Sequence, residues 1–174
     1  TSILLSKYLT ILILIPFIII GMFLINLVIG SFILNPTSLK IPVVLYDSLK
    51  NILITENIFI YSFKCLLSIL PMYFIIATFA FFISSTVGST SSAITLSFGL
   101  YLIGNIVNEF YLKLNLPFLK YFVSLHWNFS YLVDLTRNPY SFNISTSLIT
   151  LGIYLSVILC LTFVIFSKKD VKNI

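Results

Sequence analysis

Hydrophobic positions run almost unbroken through four stretches of the chain, and polar positions gather between them. From Tyr8 to Leu39 no residue is charged, and Leu9–Ile29 holds sixteen Leu, Ile, Val or Phe in twenty-one positions. Each contributes about −0.3 to −0.6 kcal/mol near a helix centre, so the sum is roughly −5 to −9 kcal/mol, which Pro16 and Asn26 do not reverse. A transmembrane helix over about 8–34 is therefore expected, since about twenty apolar residues cross a bilayer. Pro16 predicts a kink inside it, and Asn35-Pro36 predicts its end.

The next stretch is mixed. In residues 36–63, Leu45, Leu49, Ile52 and Leu53 fall on one helical face opposite Asp47, Ser48, Asn51 and Thr55. That spacing predicts an amphipathic helix at the membrane surface, with a frayed loop after Pro36 and Pro42 as the alternative. Forty-four residues without a charge then separate Lys64 from Glu109. They are too many for one span, and Ser84 to Ser92, hydroxyl residues around Gly88, predict a turn between two helices at about 65–83 and 93–108. Pro71 lies within the first of these. The second is short and carries Gly99, Gly104 and Asn105, which favour close helix contact.

Residues 110–137 mix prolines, charges and rings: Phe118, Tyr121, Phe122, Trp127, Phe129 and Tyr131. Such rings prefer the headgroup level, so the segment is read as an outer re-entrant or interfacial element. A fourth span is expected at about 147–166, before Lys168-Lys169-Asp170-Val171-Lys172. The fold class is thus all-α: a single polytopic membrane helix bundle over 1–174 with about four spans.

Composition agrees with this pattern. Hydrophobic residues make up 59% of the 174 and charged residues only 9%, with mean hydropathy +1.12, which excludes an ordinary water-soluble domain. The net charge of +5 is scattered and gives a nucleic-acid partner little support. It bears on orientation instead. Lys7, Lys168, Lys169 and Lys172 crowd the two ends, whereas Lys40, Lys50, Lys64, Lys113, Lys120 and Arg137 are diluted over two long loops with four acids. Density, though not the raw count, favours both ends on the cytoplasmic side of the membrane.

Reactive chemistry is sparse. Cys65 and Cys160 sit in apolar runs as small hydrophobes, and the one histidine, His126, has no second histidine or carboxylate pair at ligand spacing. No Ser-His-Asp set, phosphate-cradling glycine loop or nucleotide motif is present, so no enzyme, metal or cofactor is predicted. The spans hold no ionisable residue in their cores, which argues against a proton pump or voltage sensor. Lys64 and Glu109 sit at span ends and read as headgroup anchors. What remains at depth is a set of amides, Asn26, Asn105 and Asn108, either joining helices or lining a pathway.

Several pieces in order resemble the permease subunits of bacterial ABC-2 type transporters, especially the bacitracin and lantibiotic export or self-immunity group. They are Ile3-Leu4-Leu5-Ser6-Lys7-Tyr8-Leu9, Phe82-Ile83-Ser84-Ser85-Thr86-Val87 leading through Ser91-Ser92-Ala93-Ile94, Leu119-Lys120-Tyr121-Phe122, and Phe166-Ser167-Lys168-Lys169-Asp170-Val171. The resemblance implies an exporter of a hydrophobic peptide, antibiotic or lipid-like molecule. It also implies a separate ABC ATPase subunit, a second permease subunit, and a cytoplasmic turn carrying Ser84, Gly88 and Ser92. Permeases of that family have six spans and an acidic-Gly-Thr coupling segment before the third. By this resemblance the chain begins near a third span, and two spans with the coupling segment are expected to precede Thr1. A membrane scaffold or accessory subunit without transport activity is the alternative.

Overall fold

In a computed structural model, residues 2–33, 42–47, 50–87, 89–114, 116–134 and 139–171 are described. The element order is helix α1 (Ser2–Ile33), strands β1 (Val43–Asp47) and β2 (Ile52–Glu56), then helices α2 (Ile58–Val87), α3 (Thr90–Leu114), α4 (Ser130–Val133) and α5 (Ile144–Val171). Two short 3-10 helices, Pro117–Tyr121 and Val123–His126, stand between α3 and α4. Helices α1, α2, α3 and α5 are each long and apolar enough to cross a membrane, so the bundle is a membrane-type, multi-pass architecture.

The spans run further than the hydropathy pattern suggests because polar residues cap them early. Asn57 Oδ1 accepts from the Phe59 N–H at 2.9 Å, starting α2 before the charge at Lys64. Ser89 Oγ accepts from the Ser92 N–H at 3.3 Å and starts α3 at Thr90. Ser85 Oγ and Thr86 Oγ1 donate back to the Phe82 carbonyl at 2.8 and 2.9 Å, which satisfies both hydroxyls within the helix, and α2 runs on to Val87. Ser84 thus lies in the last turn of α2 and Ser92 in the first of α3, while Gly88 lies outside the described residues. The predicted short third span is instead twenty-five residues long.

The amphipathic helix expected within 36–63 is replaced by an antiparallel hairpin. Val43 pairs with Glu56, Leu45 with Ile54 and Asp47 with Ile52. Val43, Val44, Ile52, Ile54 and Thr55 are β-branched and lose rotamers in a helix, whereas a pleated strand accommodates them. Asp47 fixes the turn: its carbonyl accepts from the Asn51 N–H at 2.8 Å and its Oδ1 from the Lys50 N–H at 3.1 Å. Asn51 takes φ 54°, a left-handed conformation that asparagine tolerates well. Ser48, Leu49 and the predicted helix end at Asn35-Pro36 lie outside the described residues, as do Lys40, Arg137 and Lys172.

Two clusters place the elements end to end. Leu4, Tyr8 and Phe81, with Leu159, Phe163 and Phe166, gather the start of α1, the end of α2 and the end of α5 at one pole. Within that pole Tyr8 Oη and Thr78 Oγ1 lie 3.0 Å apart, and Thr78 is fully buried. The second cluster, Ile75, Val123, Trp127, Phe129, Tyr131 and Leu151, seats the aromatic segment against α2 and α5 toward the opposite pole. The rings expected at headgroup level therefore divide. Phe118 and Tyr121 are exposed, while Trp127, Phe129 and Tyr131 turn inward, because α2, α3 and α5 offer an apolar seat there.

Candidate functional site

Residues from α2, α3 and the aromatic segment surround a cleft of about 240 Å³. Helix α3 contributes Tyr101, Asn105 and Asn108, which are four and three residues apart and so share a face. Helix α2 contributes Ser68, Ile69 and Met72, and the segment closes the far side with Trp127, Asn128 and Ser130. Among the described residues, no charged side chain lines the cleft.

The segment is held there by three fastenings. Gly104 lies beside Asn105 on α3 and leaves room for the Trp127 ring: a Cβ at that position would come within 2.7 Å of Trp127 Cη2 and 3.0 Å of Ser124 Cβ. Ser124 Oγ donates to Asn108 Oδ1 at 2.6 Å, inside the fold. On the side facing α5, the His126 ring bridges the Lys120 carbonyl, at 2.8 Å from Nε2, and Ser147 Oγ, at 3.1 Å from Nδ1. A carbonyl only accepts, so Nε2 carries the proton and a neutral ring accepts from Ser147 at Nδ1. The ring also stacks on Phe142 with centroids 4.7 Å apart.

Burial holds His126 below the ordinary histidine value, partly offset by its bond to the Lys120 carbonyl. A depressed folded pKa gives stability that is present above the unfolded value of about 6.5 and is lost as pH falls through the lower folded value. Acidification is therefore expected to destabilise the detergent-solubilised protein more than a His126→Gln variant, whose side chain has no such titration. Parallel thermal-unfolding curves at neutral and mildly acidic pH check this, and equal pH sensitivity of the two proteins would refute it.

The three predicted amides separate on inspection. Asn108 joins the segment to α3, a structural bond that also shapes the cleft. Asn105 faces the cleft, is exposed, and makes no side-chain hydrogen bond among the described residues. Asn26 stands apart: its Nδ2 donates to the Met22 carbonyl at 2.9 Å within its own helix, and it borders a different gap between α1 and the start of α2. Gly99, expected at a helix contact, has open space around it, whereas Gly104 does make a close approach, to an indole ring and not to a helix. Asn128 and Ser130 were not singled out by sequence. Only the dense ring pattern around them hinted that the chain folds back on itself.

A larger groove of about 440 Å³ lies between α2, α4 and the start of α5, but its walls, including Leu67, Pro71, Leu132 and Leu148, are apolar. Lys64 at its rim is paired with Glu56. Such a surface suits lipid chains and carries no directed chemistry. Among the described residues, no three His, Cys, Asp or Glu side chains converge as metal ligands. The neutral cleft brings amides and hydroxyls from two helices and the aromatic segment around one space, which suits recognition of a ligand by hydrogen bonding.

The profile of a family described as "Protein of unknown function (DUF2705)" matches residues 1–172. No curated protein and no solved structure matches the chain.

Proposed function

The chain belongs to the DUF2705 family, and we propose that it is the membrane-spanning permease subunit of an ABC-type exporter, driven by a separate ATPase and paired with a second permease subunit. The observation that carries this reading is an uncharged, amide-lined cleft set into a bundle of four apolar helices. A ligand that is mostly apolar and locally polar fits it, such as a hydrophobic peptide, an antibiotic or a lipid-like molecule. The energy for moving it comes from the partner, whose nucleotide-driven closure shifts the bundle between two populations of access. Export of this kind would confer antibiotic resistance or lantibiotic immunity on the cell.

The bacterial cell membrane is the location that follows, with both ends of the chain and the Ser84–Ser92 turn in the cytoplasm. The hairpin and the aromatic segment then face outward. The clustering of the start of α1, the end of α2 and the end of α5 at one pole supports this arrangement, since Lys7 belongs to that start of α1 and Lys168 to that end of α5.

Gentle solubilisation of the tagged protein from its native membrane is expected to bring down an ABC ATPase, more of it with a non-hydrolysable nucleotide than without. Recovery with no ATPase and no second permease under every nucleotide condition would overturn the reading in favour of an accessory subunit. Sidedness is tested separately at Ser91, which is exposed in the first turn of α3. A Ser91→Cys variant is expected to react with impermeant maleimide only after the cell is opened, and labelling of intact cells would invert the topology.

A further inference from the structure

Four polar groups around the cleft are uncommitted among the described residues: the whole amide of Asn105, Nδ2 of Asn128, the Tyr101 hydroxyl and the Ser130 hydroxyl. Asn128 Oδ1 is already engaged, accepting from the Ser130 N–H at 2.9 Å, which fixes the amide and leaves its donor side free. Asn108 is committed to Ser124, and Ser68 Oγ donates to the Cys65 carbonyl at 2.7 Å. Asn105, Asn128 and Ser130 are exposed and Tyr101 is half-buried, so these groups are open to a ligand and have donors and acceptors to spare for it.

The chemistry of that ligand follows from the lining. Without a charged side chain, the cleft offers nothing to offset the desolvation of a phosphate, carboxylate or ammonium, which excludes ionic headgroups. Amides and hydroxyls both donate and accept, and so does every hydroxyl of a sugar. Beside these polar groups the lining includes the apolar side chains of Ile69 and Met72 and the Trp127 ring. A pyranose has the same division, with hydroxyls at its edge and C–H bonds on its faces. At about 240 Å³ the cleft is smaller than the roughly 300–1,000 Å³ of drug-sized pockets, so it takes one ring and not an extended chain.

We infer that the cleft edged by Tyr101, Asn105, Asn128 and Ser130 binds a neutral, polyhydroxylated ring, the headgroup of an uncharged glycolipid. This deepens the exporter reading and rests on it in taking the cleft as the point where substrate is received. Asn105 is the leading hydrogen-bonding residue, and Asn128 and Tyr101 orient the ring from either side. The acyl chains remain in the surrounding bilayer.

The sequence contains a single tryptophan, and it lines the cleft, so the protein reports on its own site. The full chain is reconstituted in phosphatidylcholine nanodiscs, without maltoside detergents, at increasing mole fractions of monoglucosyl diacylglycerol. Trp127 emission is expected to shift saturably. Diacylglycerol and phosphatidylglycerol, which lack the sugar or add a charge, are expected to leave it unchanged. Asn105→Leu is expected to weaken the response about tenfold, the loss of one or two directed hydrogen bonds, while Asn105→Gln retains most of it. A saturable response to free methyl glucoside would support the same ring chemistry with a water-borne source.

Equal shifts with all lipids, a stronger shift with a neutral N-acetylated lipopeptide, or a response untouched by Asn105→Leu in protein of unchanged helicity would each overturn the inference. ATPase recovery measured on the same preparations separates the two readings. No sugar response with the ATPase present removes the ligand and leaves the exporter. A sugar response without any ATPase removes the exporter and leaves the site.

Discussion

Trp127→Ala is expected to cost about 3–5 kcal/mol of stability, the range for removing a buried aromatic side chain when the surroundings collapse only partly. The indole is 2% exposed and sits among Ile75, Val123, Phe129 and Leu151, so its loss empties the centre of the cluster that seats the aromatic segment. Two further fastenings remain, the Ser124–Asn108 and His126–Ser147 bonds, and neither fills the void. Unfolding in mixed micelles of mild detergent and dodecyl sulfate, followed by circular dichroism, measures the change. A cost below about 1 kcal/mol, near that of a single methylene, would mean that the ring does not anchor the segment.

The complementary experiment adds volume at the same contact. Gly104→Ala is expected to destabilise by about 1–3 kcal/mol, since the new methyl meets Trp127 Cη2 at 2.7 Å and Cζ2 at 2.8 Å in a ring that has no room to swing. Helix propensity works the other way, as alanine is the better helix former by about 1 kcal/mol, so a net loss would isolate the steric clash. Those two carbons belong to the six-membered ring of the indole, which phenylalanine places differently. Gly104→Ala combined with Trp127→Phe is therefore expected to cost less than the sum of the single changes, by about 0.5–3 kcal/mol of coupling. Strict additivity would show that the two residues do not touch. Gly152, which has open space where a Cβ would stand, is the control: its alanine variant should lose nothing through packing.

Much of the architecture was legible because four long apolar runs admit few alternatives in a bilayer. Pro16 and Pro71 fall inside helices as the hydropathy suggested. The hairpin was missed because Leu45, Ile52 and Leu53 satisfy a helical spacing and a strand pairing equally over so short a stretch. The β-branched residues and the Asp47-to-Asn51 turn were the signal that decides between them. The candidate cleft was half legible. Asn105 and Asn108 stood out as amides in an apolar helix, but nothing local to Asn128 or Ser130 says that they return to face α3. That placement depends on a packing event, the Trp127 ring over Gly104, between residues twenty-three positions apart. Asn26 shows the converse, a conspicuous amide that simply bonds to its own helix.

Among the described residues, the buried packing of helix α1 is concentrated at one end. Leu4 and Tyr8 pack against Phe81, and Tyr8 meets Thr78, yet near its other end a gap of about 240 Å³ separates Phe23, Leu27 and Gly30 from Ile58 and Phe59, and Phe32 is 86% exposed. With thirty-two residues the helix is about 48 Å long, well beyond a hydrocarbon core of about 30 Å. Its lean is consequently set less by the protein than by the thickness of the surrounding lipid, because a long rod pinned at its foot must tilt until its oily length is covered. Thin bilayers would splay the rod outward and thick ones draw it upright, making the first helix a gauge of the membrane in which the bundle resides.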